Sequence, residues 1–560
     1  MLSRRDLLAA AAALATASPL RGAAGQDAAL EQILGGPSFG DLTLLHLTDL
    51  HGQMLPMRYR EASVNAGVGP ARDEPPYLTG AALRRFFGIE AGTAMAHAAS
   101  FEDFEALALR FGPMGGLDRI ATLVGMIRAA RPGRTLLLDG GDTWQGGHVA
   151  LATRGEAMVR LMGLLRPEAM TGHWEFTYGA GRVKELVAAA EASGTRFLAG
   201  NVRDTEWDEE VFAPAASFER GGVKVTVIGQ AFPYTPIANP RWMIPEWSMG
   251  IGEERLARRV EAARADGAAV VVLLSHNGFA VDRRLAERVR GIDVILVGHT
   301  HDCTPSPVRI EGTLLAAAGS HGKFLTRLDL AVSGRRVTEI RHRLIPVFAD
   351  AIPADPAVAA AVAAERAPHA EMLGRVVGRT EGTLWRRGTL NGTWDDLICA
   401  ALMAERDAEI ALSPGFRWGP SLLPGSDITM EDILTQTAIT YPAAWRATLT
   451  GAELRAILED VADNLFNPDP YYQQGGDMVR AGGLGFTIAV DRPAGQRIGD
   501  LTLLGRNEPV EPSRRYAVAG WASVAEGTEG PPVWELVARH VARLGTVRPV
   551  PNGAIRLLRG

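Results

Sequence analysis

The most regular signal along the chain is a series of short apolar runs, each stopped by a cluster of small and polar residues. Leu42-Thr43-Leu44-Leu45-His46-Leu47 runs into Thr48-Asp49-Leu50-His51-Gly52, and Thr135 to Leu138 into Asp139-Gly140-Gly141-Asp142. Val270 to Leu274 ends in Ser275-His276-Asn277-Gly278, and Val294 to Val297 in Gly298-His299-Thr300-His301. One cluster, Thr171-Gly172-His173-Trp174-Glu175-Phe176, follows only the apolar pair Ala169-Met170. Such runs, bounded by turn-formers, read as buried strands, as does Val223 to Ile228. Between them the apolar spacing becomes helical, over Leu117 to Ala130, Gly155 to Leu165 and Glu253 to Ala265. Strands alternating with helices predict a layered α/β domain, in which polar clusters at strand ends can converge on one site. The strand-rich segment Thr326 to Val347 closes it.

With 560 residues the chain exceeds what one core organises, and a second domain is expected. Ala349 to Leu373 is Ala-rich and, apart from Pro353, Pro356 and Pro368, reads as a linker helix spanning 349–373. The first domain is expected over 26–348 and a smaller α+β domain over 374–560. The latter mixes helices (Asp395 to Glu405, Gly451 to Leu465, Pro532 to Leu544) with short strands (Glu409 to Leu412, Leu501 to Leu504). Residues 53–113 show helical patches such as Leu83 to Phe87 but no repeat, and read as a long insertion of open role.

Ser3-Arg4-Arg5-Asp6-Leu7-Leu8, the apolar run to Ala17 and the small residues from Gly22 to Gly25 form a twin-arginine signal pattern over 1–25. The expectation is an exported, periplasmic protein without a membrane helix after signal removal. A net charge of -6 gives no basic footprint for nucleic acid. Cys303 and Cys399 form neither a disulfide framework nor a paired metal motif, and whether they pair is left open.

Asp49 and His51 are one residue apart at a strand end, as are His299 and His301, so in extended backbone each pair points to one side. With Asp142, His173 and His276 the first domain offers five imidazoles and two carboxylates. A lone histidine beside a strand is commonly a structural residue, but this set in this order is the donor composition of a two-metal hydrolytic site.

These motifs resemble the calcineurin-like metallophosphoesterases, and with the second domain the chain resembles the periplasmic 5′-nucleotidase architecture. Where that family usually has Gly-Asn-His-Glu, this sequence has Gly172-His173-Trp174-Glu175. The His-Trp replacement, the following Phe176-Thr177-Tyr178-Gly179 and the loop Pro414-Gly415-Phe416-Arg417-Trp418-Gly419 resemble the SoxB thiosulfohydrolase family of bacterial sulfur oxidation.

The resemblance implies one ion on Asp49, His51, Asp142 and His301 and a second on Asp142, His173, His276 and His299, bridged by Asp142. It implies manganese, although imidazole and carboxylate donors suit zinc or iron equally. It further implies hydrolysis of a cysteine S-thiosulfonate on a Sox-system (SoxYZ-type) sulfur carrier, releasing sulfate after water activated by the metals attacks the sulfonate sulfur. Asp142, Arg417 and Trp174 are the expected catalytic residues, and Arg417, Trp174 and Tyr472 the expected substrate contacts. Phe416, Trp418, Tyr441 and Tyr471 are further candidate aromatics, and the protein is expected to act as a monomer. The alternative is a periplasmic 5′-nucleotidase or related phosphoesterase, which differs at position 174.

Overall fold

The computed structural model describes residues 39–558; the signal expected over 1–25 lies outside them. The first body is built on two six-stranded sheets. The strands that matter for the site are β1 (Leu42–Leu47), β2 (Thr135–Asp139), β3 (Ala169–Met170), β4 (Val223–Gln230), β5 (Val270–Ser275) and β6 (Val294–Val297). In one sheet β1, β2 and β3 lie side by side and parallel, with Leu47 opposite Asp139. In the other, β4, β5 and β6 do the same, with Val297 opposite Ser275. These registers bring the C-terminal strand ends level, which is what lets residues from distant parts of the chain meet. The hairpin Phe324–Ser333/Arg336–Pro346 pairs antiparallel with β1 and covers that edge.

Both faces of each sheet are covered, so β2, β5 and β6 are near-continuous apolar runs rather than alternating ones. Leu42 and Leu44 of β1 point inward to Val225, Val272 and Leu296 of the facing sheet, while Leu45 and Leu47 point outward to the helix Leu117–Ala130. The helices Glu253–Ala265 and Phe279–Arg288 cover the outer face of the second sheet through Leu256, Val260 and Leu285. The result is four layers, helix–sheet–sheet–helix.

The stretch expected as one linker helix is three pieces. Asp355 caps a helix at Pro356–Arg366, accepting from the N–H groups of Ala357 and Val358. Pro356 is tolerated there because the first helical position donates no intrahelical bond. Pro368 then sits in a 3₁₀ turn, Ala367–His369, ahead of Ala370–Leu373. Beyond it, helices Thr393–Arg406, Gly451–Phe466 and Val533–Leu544 pack with three small sheets. In one of these, Ile410–Ser413 pairs antiparallel with Arg480–Gly482, Ser413 facing Arg480. The loop leaving the first strand and the loop entering the second are therefore neighbours, and both reach over the first body.

The insertion 53–113 carries helices Gly80–Phe87, Ala94–Ala99 and Phe104–Phe111. Before them, residues 57–66 run as a strap between the bodies. Ser421 and Thr389 of the second body donate backbone N–H bonds to the carbonyls of Arg58 (2.7 Å) and Val64 (2.8 Å). Cys303 and Cys399 are both free and buried, in different bodies. Among the described residues no helix is long and apolar enough to cross a membrane.

Candidate metal centre

The strand-end clusters converge. Asp142, His173, His276 and His299 form one group of ligand atoms within 4.8 Å of one another, and Asp49, His51, Asp142 and His301 form another. Asp142 belongs to both. Its Oδ2 lies 3.0 Å from His173 Nδ1, 3.0 Å from His276 Nε2 and 3.7 Å from His51 Nε2, while its Oδ1 accepts the Trp174 backbone N–H at 2.7 Å. His301 Nε2 is 3.2 Å from Asp49 Oδ1.

The expected extended backbone at the paired motifs is not what brings them together. Asp49, His51, Asp142, His299 and His301 all have positive φ, between 47° and 73°. This left-handed region is costly for residues with a side chain, though Asp and His enter it more readily than most, and such strain collects at functional sites. A tight left-handed turn at each strand end folds the ligands inward, where an extended chain would run past the site.

The donors fit divalent cations. His51 Nε2 and His301 Nε2 face each other at 2.9 Å, and the Nδ1 atoms of both rings are buried without a partner. His276 Nδ1 donates to the Gly140 carbonyl at 2.6 Å and His299 Nε2 to the Gln474 carbonyl at 3.1 Å, which turns the opposite ring nitrogen of each toward the cluster. Burial pushes the His299 and His301 imidazoles well below their usual range and His51 down to about 4, so all three are neutral bases. Burial alone would lower His276 too, but Asp142 and Asp49 lift it to about 10. Asp142 and Asp49 thus favour a positive charge at this ring, which a divalent cation in place of the ring proton would supply.

Glu175 braces the frame. Its Oε1 accepts from Thr143 N (2.7 Å) and Trp144 N (3.1 Å), and its Oε2 from His173 N (2.7 Å), so one buried carboxylate holds the loops of two ligands. In Glu175→Gln one of those donors meets an amide NH₂. We expect metal affinity to fall about 10–100-fold, the usual scale for outer-shell changes, read by titrating the metal-free protein with metal. Unchanged affinity would remove Glu175 from this role.

Above the ligands lies a cavity of about 180 Å³ between the two bodies, walled by Trp174, Phe232, Phe416, Arg417, Trp418 and Gly475. Trp174 is boxed in, edge-on to Phe416 (5.1 Å) and Trp418 (4.9 Å) and parallel to Tyr441 (5.9 Å). Trp418 in turn stacks on His51 at 4.9 Å. Arg417 reaches the wall but is partly committed, donating to the carbonyls of Thr300 (3.1 Å) and His299 (2.5 Å). Gly475 has φ +74°, and a Cβ there would lie 2.7 Å from His299 Nε2, so only glycine lets this loop close over the ligand.

Tyr472, expected as a substrate contact, is not part of the wall: it sits 67% exposed on the turn Pro470–Tyr472. Tyr471 is a bolt between bodies, its hydroxyl on Glu253 (2.5 Å) and its carbonyl accepting from Tyr234 (2.9 Å). Residues that sequence reasoning missed include Phe232, whose ring lies 4.1 Å from both His173 and His299, as well as Tyr59, His321 and Arg387. Of these only His321, in Ser320-His321-Gly322 after the apolar strand Thr313–Ala317, carried the signal that exposed the ligands.

The fold and the donor set define a hydrolase of the metallophosphoesterase superfamily with 5′-nucleotidase-like architecture. Residues 373–537 match the 5′-nucleotidase C-terminal domain family. The structure superposes on Sulfate thiohydrolase SoxB of Thermus thermophilus with a TM-score of 0.90 and 38% identity, over 93% of this chain and 98% of that one. The chain belongs to the SoxB family. The fold is also that of a 5′-nucleotidase precursor from Thermus thermophilus, with a TM-score of 0.73 and 22% identity over 93% of this chain and 99% of the other. A snake venom 5′-nucleotidase of Crotalus adamanteus is 31% identical over 236 residues, 40% of this chain. That match spans 38% of the venom enzyme's length.

Proposed function

We propose that the protein is a thiosulfohydrolase that releases sulfate from a cysteine S-thiosulfonate borne by a sulfur-carrier protein. The observation that carries this reading is the lack of a free acid in the cavity wall. Apart from the metal ligands, the ionisable side chains lining it among the described residues are Arg417 and Asp477, and Asp477 already accepts from Arg480 at 2.8 Å. A phosphate ester must expel an alkoxide, whose conjugate acid is near water's pKa of about 15.7. A sulfur leaving group resembles a thiol, near about 8.5, and departs as an anion without a proton donor. Trp174, which can donate a hydrogen bond but no proton, suits the second case.

When bound, two divalent ions would supply the Lewis acidity that activates water and neutralises the sulfonate. Arg417 meets the remaining sulfonate oxygens, and Trp174, Phe416 and Trp418 keep the cavity dry. The water oxygen bonds to the sulfonate sulfur and the sulfur–sulfur bond breaks. The electron pair leaves on the carrier's persulfide sulfur, and both water protons pass to solvent. A cavity of about 180 Å³ is smaller than the ~300–1,000 Å³ usual for small-molecule sites. It favours a slim polypeptide arm ending in a tetrahedral anion over a whole nucleotide. The proposal includes manganese as the metal, with zinc or iron compatible with the donors, and periplasmic action after twin-arginine export.

The test is sulfate release from a thiosulfonated carrier cysteine by metal-loaded protein, with metal content measured on the same preparation. Release at catalytic rates is expected, and none from a fully loaded enzyme would sink the reading. Arg417→Ala should lower that rate roughly 10²–10³-fold, the scale of losing one oxyanion donor. Because Arg417 also holds the His299 and Thr300 carbonyls, the same variant should bind metal more weakly. An unchanged rate would return Arg417 to a purely structural role.

A further inference from the structure

The loop Arg417-Trp418-Gly419 presents two cavity-lining side chains, yet its backbone is held from the first body. Tyr59, on the strap 57–66, is 5% exposed and donates its hydroxyl to the Arg417 carbonyl at 2.6 Å. Two residues on, the Gly419 N–H donates to His321 Nε2 at 3.2 Å. The two anchors touch each other, with the Tyr59 and His321 rings 4.7 Å apart. Neither lines the cavity.

His321 is constrained from several sides. To accept from Gly419 its Nε2 must carry a lone pair, so the ring proton sits on Nδ1 and is given to Ser320 Oγ at 2.8 Å. Its backbone has φ +57°, a conformation that few residues with side chains adopt, and its N–H donates to the carbonyl of the metal ligand Asp49 at 2.8 Å. One residue therefore fixes the end of β1 and the substrate loop at once. Trp418, pinned between the two anchors, is thereby laid on the His51 ring.

We propose that Tyr59 and His321 are positioning residues that set the height and direction of Arg417 and Trp418 over the metal ligands, so that the strap 57–66 governs how strongly the site holds a tetrahedral anion. The inference rests on the reading that Arg417 meets the anion. It gives the strap a task beyond joining the bodies.

The experiment uses inorganic sulfate as the probe, titrated by calorimetry into metal-loaded wild type, Tyr59→Phe, Arg417→Ala and the double variant. Metal stoichiometry and Tm are measured on each. Tyr59→Phe keeps the ring packing and removes only the hydroxyl. It should bind sulfate about tenfold more weakly, the scale of one hydrogen bond, with metal content unchanged. In the Arg417→Ala background the same substitution should have no further effect, because a residue acting through Arg417 has nothing left to position. His321→Asn, which tolerates the backbone conformation but is too short to reach Gly419, should behave like Tyr59→Phe. Wild-type sulfate affinity in Tyr59→Phe alongside weakened binding in Arg417→Ala would overturn the positioning role alone. Equal losses with and without the Arg417 side chain would do the same, since a purely structural residue gives additive effects. Wild-type affinity in Arg417→Ala would instead overturn the anion role of Arg417, and this inference with it.

Discussion

Asp142→Ala is expected to lose bound metal and activity together, with turnover falling at least about a thousandfold, as when several kcal/mol of charge stabilisation are removed. The expectation follows from one oxygen atom. Asp142 Oδ2 stands 3.0 Å from ligand nitrogens of both His173 and His276 and 3.7 Å from His51, so both donor groups depend on it. Without it each group loses a ligand, and Asp49 is left as the one carboxylate among them. Asp142→Asn is the informative companion: it keeps the shape and the bond from the Trp174 N–H but not the charge. If shape alone held the ions, the asparagine variant would retain two. We expect it to retain fewer, as measured by elemental analysis after exhaustive dialysis. Two ions and full activity in the alanine variant would rule out the bridging assignment.

The second large effect concerns the class of bond broken. Wild-type protein should hydrolyse AMP at least about 10²-fold less efficiently than a thiosulfonated carrier, because general acid catalysis typically contributes 10²–10⁴-fold and the cavity offers no acid to an alkoxide. Free thiosulfate should also be a weak substrate, since it lacks the polypeptide contacts that pay for alignment. Trp174→His places an imidazole in the aromatic box of Phe416, Trp418 and Tyr441. It should raise phosphate-ester hydrolysis about tenfold or more while slowing sulfate release. The assay compares the carrier, thiosulfate and AMP on wild type and variant at equal metal loading. Efficient AMP hydrolysis by wild type, with no sulfate from the carrier, would turn the functional reading toward a phosphoesterase and leave the seven-ligand centre intact.

The candidate ligands could be picked out because each sits where an apolar run stops, and parallel registers such as Leu47 beside Asp139 and Val297 beside Ser275 carry those stops to one place. What the pattern could not show was the backbone at those stops. The sequence suggests extended Asp-x-His, whereas the ligands converge through left-handed turns. Residues acting on backbone atoms far away were also hidden. The hydroxyl of Tyr59 meets the carbonyl of Arg417 only because the two bodies dock, and nothing local to either residue announces it. For the same reason composition could not tell which of the neighbouring Tyr471 and Tyr472 would face the site, and neither does. Helices such as Leu117–Ala130 and Gly451–Phe466 were readable because their apolar spacing is set by their own cores.

Two of the arginines behind the cavity open onto a longer arrangement. Arg387 joins Asp302, next to His301, to Asp477, and the row continues through Arg480 and Asp395 to Arg386. All six side chains are buried or nearly so, and acids alternate with arginines from the metal loop into the second body. Losing one member strands a charge that water cannot reach, at a cost of about 3–5 kcal/mol. Such a row has no easy single steps: a lineage can change it only by exchanging adjacent partners together. The two bodies should therefore drift as a unit, and a chimera that joins the first body to the second body of a relative should fold poorly unless Asp302 and its new arginine arrive as a matched pair.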